Sequence, residues 1–215
     1  MLNMDFAKRV VVDTAKMEWT ASPAQGVWRK PLEREAKESG HTTSIVRYAP
    51  GSRFSEHPHP LGEEILVLEG VFSDEHGDYP AGTYLRNPPG SHHSPFSLEG
   101  CVILVKLNQF EKEDLTTVRI NTKALDKFDN NGGSHIVNLH DYAHEHVSLL
   151  FCPKGERFQP PHDSTGIEIF VLSGGFKDSN GYYPESSWLR LPRLESTYPP
   201  VDEDTVLWVK TRALD

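Results

Sequence analysis

The sequence predicts an all-β protein built from two copies of one domain. Three observations carry this expectation. Strand-like runs are short and β-branched, Gly and Pro clusters punctuate them from end to end, and one half of the chain pairs with the other without a gap. Sixteen Gly and sixteen Pro spread over 215 residues argue against a helical bundle.

Taken in order, the first strand signals are Thr43-Ser-Ile-Val-Arg-Tyr, Glu64-Ile-Leu-Val-Leu and Val102-Ile-Leu-Val-Lys. Ala49-Pro-Gly, Pro60-Leu-Gly, Tyr79-Pro-Ala-Gly and Asn87-Pro-Pro-Gly bound them as turns. Leu32 to Glu38 reads as one short helical turn with few apolar residues. Sliding the chain against itself pairs Glu64–Phe72 with Glu168–Phe176, and Asp74, Gly77, Tyr79 and Pro80 with Asp178, Gly181, Tyr183 and Pro184. Leu85-Arg86 returns as Leu189-Arg190, and Val105-Lys106 as Val209-Lys210. The expected organisation is therefore a first domain with N-terminal strands over 1–110, a connecting segment over 111–147, and a second domain over 148–215. Asp129-Asn-Asn-Gly-Gly is the expected bend in the connection.

Charge and composition exclude several function classes. With 22 basic and 31 acidic residues the net charge is −9, and no Lys/Arg block offsets it, so neither nucleic acid nor an anionic membrane is an expected partner. Met1–Arg9 has no apolar signal core, and no run is long enough to span a bilayer; the expected setting is the cytoplasm. Cys101 and Cys152 have no CxxC spacing, and the apolar run around Cys101 marks a buried structural thiol. No nucleotide-binding glycine loop, nucleophile elbow or thiol redox motif is present.

Chemistry concentrates in two spaced motifs of the first copy. Gly51, His57, His59, Glu63 and Gly70 read G-x5-H-x-H-x3-E-x6-G, and Gly82, Pro88, Gly90 and His93 read G-x5-P-x-G-x2-H. Alternate residues of a strand face one side, so His57 and His59 point together, with Pro58 outward. Glu63 begins the returning strand, and His93 arrives from a separate hairpin. Three imidazoles and a carboxylate form an N3O set that suits Zn(II), Fe(II), Mn(II), Ni(II) or Cu(II), closed if tetrahedral and open if six-coordinate. The second copy replaces each candidate: His57 by Pro161, His59 by Asp163, Glu63 by Ile167 and His93 by Thr197. What recurs is scaffold, and what is lost is chemistry. His92 is the alternative to His93 by one register step, whereas Glu64 recurs as Glu168 and reads as a structural hydrogen-bonding group. His135, His140, His144 and His146, and the pair His162 and Asp163, are weaker metal-site candidates.

The two motifs resemble those of the cupin superfamily, small jelly-roll β-barrels. Tyr48-Ala-Pro-Gly, the His57–Gly70 run, Phe72–Tyr84 and Arg86-Asn-Pro-Pro-Gly-Ser-His-His resemble more narrowly the cupin domain of ChrR-type anti-sigma factors. The resemblance implies a tandem bicupin with His57, His59, Glu63 and His93 as ligands of one divalent ion, zinc by family, with Fe, Ni or Mn as alternatives. It also implies a regulatory or sensor role in stress-response transcription control, with a small molecule at the metal and a sigma factor as partners. Residues 1–40 contain no Cys, no His and little helical pattern of the kind the family's sigma-binding domain has, so that activity does not carry over directly. Two other readings stand beside it: a metal-dependent dioxygenase acting on dicarbonyl or aromatic substrates, and a storage-like bicupin with a vestigial site. Cupins commonly cover sheet faces and edges with a second barrel; the tandem supplies that barrel within one chain, so the second copy is the expected docking partner, and the sequence leaves a further homodimer open.

Overall fold

The computed structural model describes residues 1–37, 39–123, 134–159, 166–193 and 198–211. The regular structure of the described residues is nearly all strand, with a single 3-10 turn at Thr14–Lys16 that the Asp13 carboxylate caps by accepting from the Ala15 N–H. The chain divides into two compact units, residues 1–4 with 18–125 and residues 5–17 with 126–215. Both are built on one antiparallel sheet in one strand order.

In the first unit the strands run Val118–Asn121, Thr83–Asn87, Glu63–Asp74, Cys101–Leu107, Thr42–Tyr48, Val27–Arg34. In the second they run Val10–Asp13, Ser187–Leu191, Ile167–Ser173, Thr205–Thr211, Glu145–Cys152, His135–Tyr142. These boundaries differ from those the sequence suggests. Val10 pairs with Arg190 as Val118 pairs with Arg86, so the strand that closes the second sheet precedes the first domain in sequence. Residues 111–147, expected as a connection, hold edge strands of both units. The expected bend at Asp129–Gly133 lies outside the described residues.

The expected helical turn at Leu32–Glu38 is not formed. Leu32 and Glu33 continue the Val27–Arg34 strand, and both are buried where a bulge between Pro31 and Glu33 lets consecutive side chains turn inward. Glu33 then accepts from the Thr43 hydroxyl at 2.7 Å across the strand pair, a bond that a helical turn would forfeit.

The inner faces follow strand alternation. Val46, Ile65, Val67, Phe72, Ile103 and Val105 form the first core, and their counterparts Leu150, Ile169, Val171, Phe176, Leu207 and Val209 form part of the second. Cys101 and Cys152 are free and buried within these cores, and burial pushes the Cys101 thiol up to about 11, so both are inert packing residues. The central strand of each unit bulges at a leucine, Leu68 or Leu172, and a left-handed glycine follows two residues later. At Gly70 (φ +68) an added Cβ would stand 2.0 Å from the Gly100 carbonyl oxygen, and at Gly174 (φ +70) it would stand 2.4 Å from that of Asp204. Those obstacles are backbone and cannot swing away. Gly70→Ala and Gly174→Ala are each expected to cost about 2–3 kcal/mol in chemical denaturation. An unchanged midpoint would show that the backbone around these glycines can give way at no cost.

Candidate metal centre

Three short segments meet at one end of the first unit. The pair His57–Pro58 and His92–His93 is antiparallel, with His93 opposite His57 and His92 opposite Pro58. Pro58 therefore faces outward, as its exposure shows. The His59 N–H donates to the Ser91 carbonyl at 2.8 Å, and the His59 carbonyl accepts from the Gly90 and Gly62 N–H groups. The Pro60-Leu-Gly turn thus returns the chain to Glu63, which opens a long strand. Glu63 pairs with Asn87, whose amide donates to Glu63 Oε2 at 2.8 Å and fixes the carboxylate.

The structure brings His57, His59, Glu63 and His93 together, each with a ligand atom within 4.8 Å of the others. The imidazole centroids lie 5.1, 5.0 and 4.7 Å apart in pairs. Each Nδ1 faces an acceptor. His57 Nδ1 donates to the Ser55 carbonyl at 2.9 Å. His59 Nδ1 meets the Ser91 hydroxyl at 3.0 Å, whose own proton goes to the Pro88 carbonyl, so the imidazole is again the donor. His93 Nδ1 donates to Asp74 Oδ2 at 3.2 Å. The proton is used on the far nitrogen in all three, which leaves Nε2 as the lone pair facing the centre.

The centre itself is polar and uncompensated. The Nε2 atoms of His59 and His93 are buried without a hydrogen-bond partner. Glu63 Oε2 stands 3.3 and 3.2 Å from them. Lone pairs and a carboxylate oxygen converging in a buried space repel unless a cation sits among them, so the donor set fits a divalent ion. Burial pushes the His59 imidazole down to about 4, against the pull of Glu63 and with the other imidazoles adding to it, which keeps it neutral and ready to ligate. Burial works the same way on His93, but the Asp74 bond and the Glu63 charge outweigh it and hold His93 above its ordinary value. For Asp74, burial would raise the carboxyl, yet hydrogen bonds from His93, the His76 N–H and Tyr79 hold it low and ionised.

The other candidates are placed elsewhere. His92 is exposed beside Glu56 at 3.6 Å. Glu64 accepts from the Tyr84 hydroxyl at 2.7 Å and lies near Arg86, and Glu168 accepts from the Trp188 indole N–H at 2.7 Å, so both hold strands together. His135, His140, His144 and His146 do not assemble into one group: His135 stacks on Phe151, and His146 bonds to Asp141. His162, Asp163, Pro161 and Thr197 lie outside the described residues.

In the second unit Ile167 and Leu191 are apolar partners where the first has Glu63 and Asn87. Phe158, Phe176 and Tyr198 pack around one another there with centroids 4.7–6.2 Å apart. Phe158 and Phe176 repeat Phe54 and Phe72 of the first unit, and Tyr198 stands where the first unit has Ser94.

Asp74 was not singled out by sequence, because it recurs as Asp178 and recurrence reads as scaffold. It is scaffold in both units: Oδ1 accepts from Tyr79 in one and Tyr183 in the other. The second oxygen divides them, since Asp74 Oδ2 takes His93 and Asp178 Oδ2 takes Arg9 at 2.7 Å. A guanidinium thus occupies the place of the imidazole. Asp74→Asn is expected to weaken metal affinity about 10–100-fold by competition titration. Asp178→Asn, with the same scaffold duty and no ligand to orient, is expected to leave that affinity unchanged; equal effects would reduce Asp74 to scaffold.

A cavity of about 150 Å³ lies beside the centre, with His57 and Glu63 in its wall. Val46, Tyr48, Phe54, Ile103 and Val105 line it, and Arg29, Arg34 and Lys37 also reach it. Burial, with the Glu63 charge adding to it, pushes the Tyr48 phenol above its ordinary value, so it stays a proton donor.

Comparison with known proteins agrees with this architecture. The family model described as the ChrR Cupin-like domain matches residues 7–111 and again 115–215. No protein of curated function matches. Among solved structures, one described as a putative dioxygenase from Nostoc punctiforme aligns with a TM-score of 0.76 at 18% identity, covering 97% of this chain and 84% of that one. A bacterial pirin from Escherichia coli, solved with nickel(II), aligns at 0.70 and 14% identity over 96% and 100% of the two chains. Bacillus subtilis oxalate decarboxylase aligns at 0.63 and 14% identity over 94% and 76%. At such identities these likenesses establish the bicupin fold alone. No helix among the described residues is long and apolar enough to cross a membrane.

Proposed function

The chain belongs to the ChrR Cupin-like domain family, and on that premise we propose that it is a metal-binding bicupin acting as a sensor in stress-response transcription control. His57, His59, Glu63 and His93 would hold one divalent ion, zinc by family resemblance. The observation that carries this is the set of three imidazoles whose Nδ1 protons are all committed to other partners, gathered with Glu63 within 4.8 Å, with the Nε2 atoms of His59 and His93 standing 3.3 and 3.2 Å from Glu63 Oε2. When bound, the ion supplies a Lewis-acidic position for a small reactive ligand. The residues around it orient that position: Asn87 holds Glu63, and Asp74 and Ser91 hold two imidazoles. A change of ligand there would be read out by the barrel's partner surface, with an extracytoplasmic-function sigma factor as the partner by family analogy. The test is metal analysis together with co-purification of such a sigma factor from the native host. A metal-loaded chain that recovers no sigma factor, with and without oxidant, would sink the regulatory reading.

The second reading is a metal-dependent dioxygenase, favoured by the cavity, apolar along Val46, Phe54, Ile103 and Val105, that reaches His57 and Glu63. Oxygen uptake by the iron-loaded protein with β-diketones and aromatic diols tests it. No uptake with any of them removes it.

A further inference from the structure

The cavity beside the centre has a charge that the chain as a whole does not. Strand alternation explains how it arises. In Val27–Arg34, Trp28 and Lys30 take the outer face, where Lys30 Nζ lies 4.4 Å over the Trp19 ring and Arg47 packs between Trp19 and Trp28. Val27 and Arg29 take the inner face and line the cavity. Arg29 is opposite Val46 on the next strand, which in turn is opposite Ile103, so a half-buried guanidinium stands in an otherwise aliphatic row. Arg34 and Lys37 line the same space. The charged lining, His57 aside, is therefore three cations and the Glu63 carboxylate, in a chain whose net charge is −9. A divalent ion at the centre would make the space more positive still.

We propose that this cavity binds a small organic monocarboxylate, its carboxylate held by Arg29, its apolar body against Val46, Ile103 and Val105, and its far end toward the His57 and Glu63 side of the metal centre. The inference rests on the metal-binding reading and names the ligand class for the same site. An arginine fork suits a carboxylate by geometry as well as charge. The apolar walls favour a ligand with hydrocarbon between its polar ends over a bare inorganic anion. The Tyr48 hydroxyl, on the row next to Arg29, supplies a donor for a second oxygen of the ligand.

The experiment uses the full chain loaded with zinc, its metal content measured in each sample. Acetate, hexanoate and benzoate are titrated calorimetrically, each against its neutral amide. The expected result is binding of hexanoate or benzoate at least tenfold tighter than the matching amide, and tighter than acetate. Arg29→Gln should remove most of that preference at unchanged zinc content, and Arg29→Lys should restore part of it. Equal affinity for acid and amide in the wild type overturns the proposal, as does no binding of any acid by zinc-loaded protein. A preference that survives Arg29→Gln overturns it too, because the metal alone would then hold the carboxylate. Protein that takes up no zinc instead fails the metal-binding reading, so the two failures are distinct.

Discussion

Replacing His57 and His59 together by alanine is expected to reduce bound metal from about one ion per chain to background, the largest single effect predicted for this protein. Two of four ligands would go, and the remaining His93 and Glu63 cannot define a site. Glu63 would keep its Asn87 bond and His93 its Asp74 bond, so the scaffold around the centre survives. The consequence for stability follows by linkage. Metal that binds only the folded chain stabilises it by about 2.7 kcal/mol at a free concentration of one hundred times Kd. Chelator should therefore lower the melting temperature of the wild type and leave that of the double variant where it is. His92→Ala is the control, since His92 is the immediate neighbour of His93 and faces solvent. It should retain full metal content. Equal metal in the wild type and the double variant would refute the ligand assignment outright.

The four residues of the centre could be read from sequence because two independent signals agreed. Their spacing matched a metal motif, and an internal control, the second copy, lacked all four. The same control concealed Asp74. A residue with duties in both units recurs in both, and only the partner of its second oxygen, His93 or Arg9, separates the roles. Arg9 lies 169 residues from Asp178, and His93 reaches Asp74 from a separate hairpin. That both units would build the same strands was legible from the repeat, but the edge strands were not. Val10–Asp13 and Val118–Asn121 are only four residues long. Each lies outside the ungapped repeat and has no fixed place within it, so pattern could not say which sheet each would close.

Buried charge shows the same limit from another side. The repeat pairs Lys106 with Lys210 and Arg86 with Arg190, and all four are buried. Arg86 lies 3.7 Å over the ring of Phe110, whereas Arg190 lies 4.4 Å over that of Phe6. The cation is kept and its aromatic cover comes from opposite ends of the repeat. Lys106 has Glu33 within 3.7 Å, from the strand beside its neighbour, and Lys210 has Glu145 within 2.9 Å. An interior lysine requires an anion, but fold physics leaves open which strand delivers it.

That requirement sets the second large prediction, for Glu33. Its side chain is 2% exposed, and it accepts from the Thr43 hydroxyl at 2.7 Å and pairs with His41 at 2.7 Å. Lys106 in turn donates to the same Thr43 hydroxyl at 2.8 Å, so the three form a closed network. Glu33→Ala takes an anion away from the buried Lys106 ammonium and should cost about 3–5 kcal/mol in chemical denaturation. Glu33→Gln keeps the shape and loses the charge; it should cost nearly as much. Acid adds an independent check. Burial would raise the Glu33 carboxyl, but Lys106 and His41 overcome it and hold it well below the ordinary carboxylate value. A depressed carboxyl contributes stability in full above its unfolded value of about 4.3 and loses it as the pH falls below that. The wild type should therefore lose stability from pH 5 downward more steeply than Glu33→Gln, and the two curves should converge in acid. Parallel curves would mean that Glu33 is held by shape rather than by charge, and Lys106 would need another explanation for its burial.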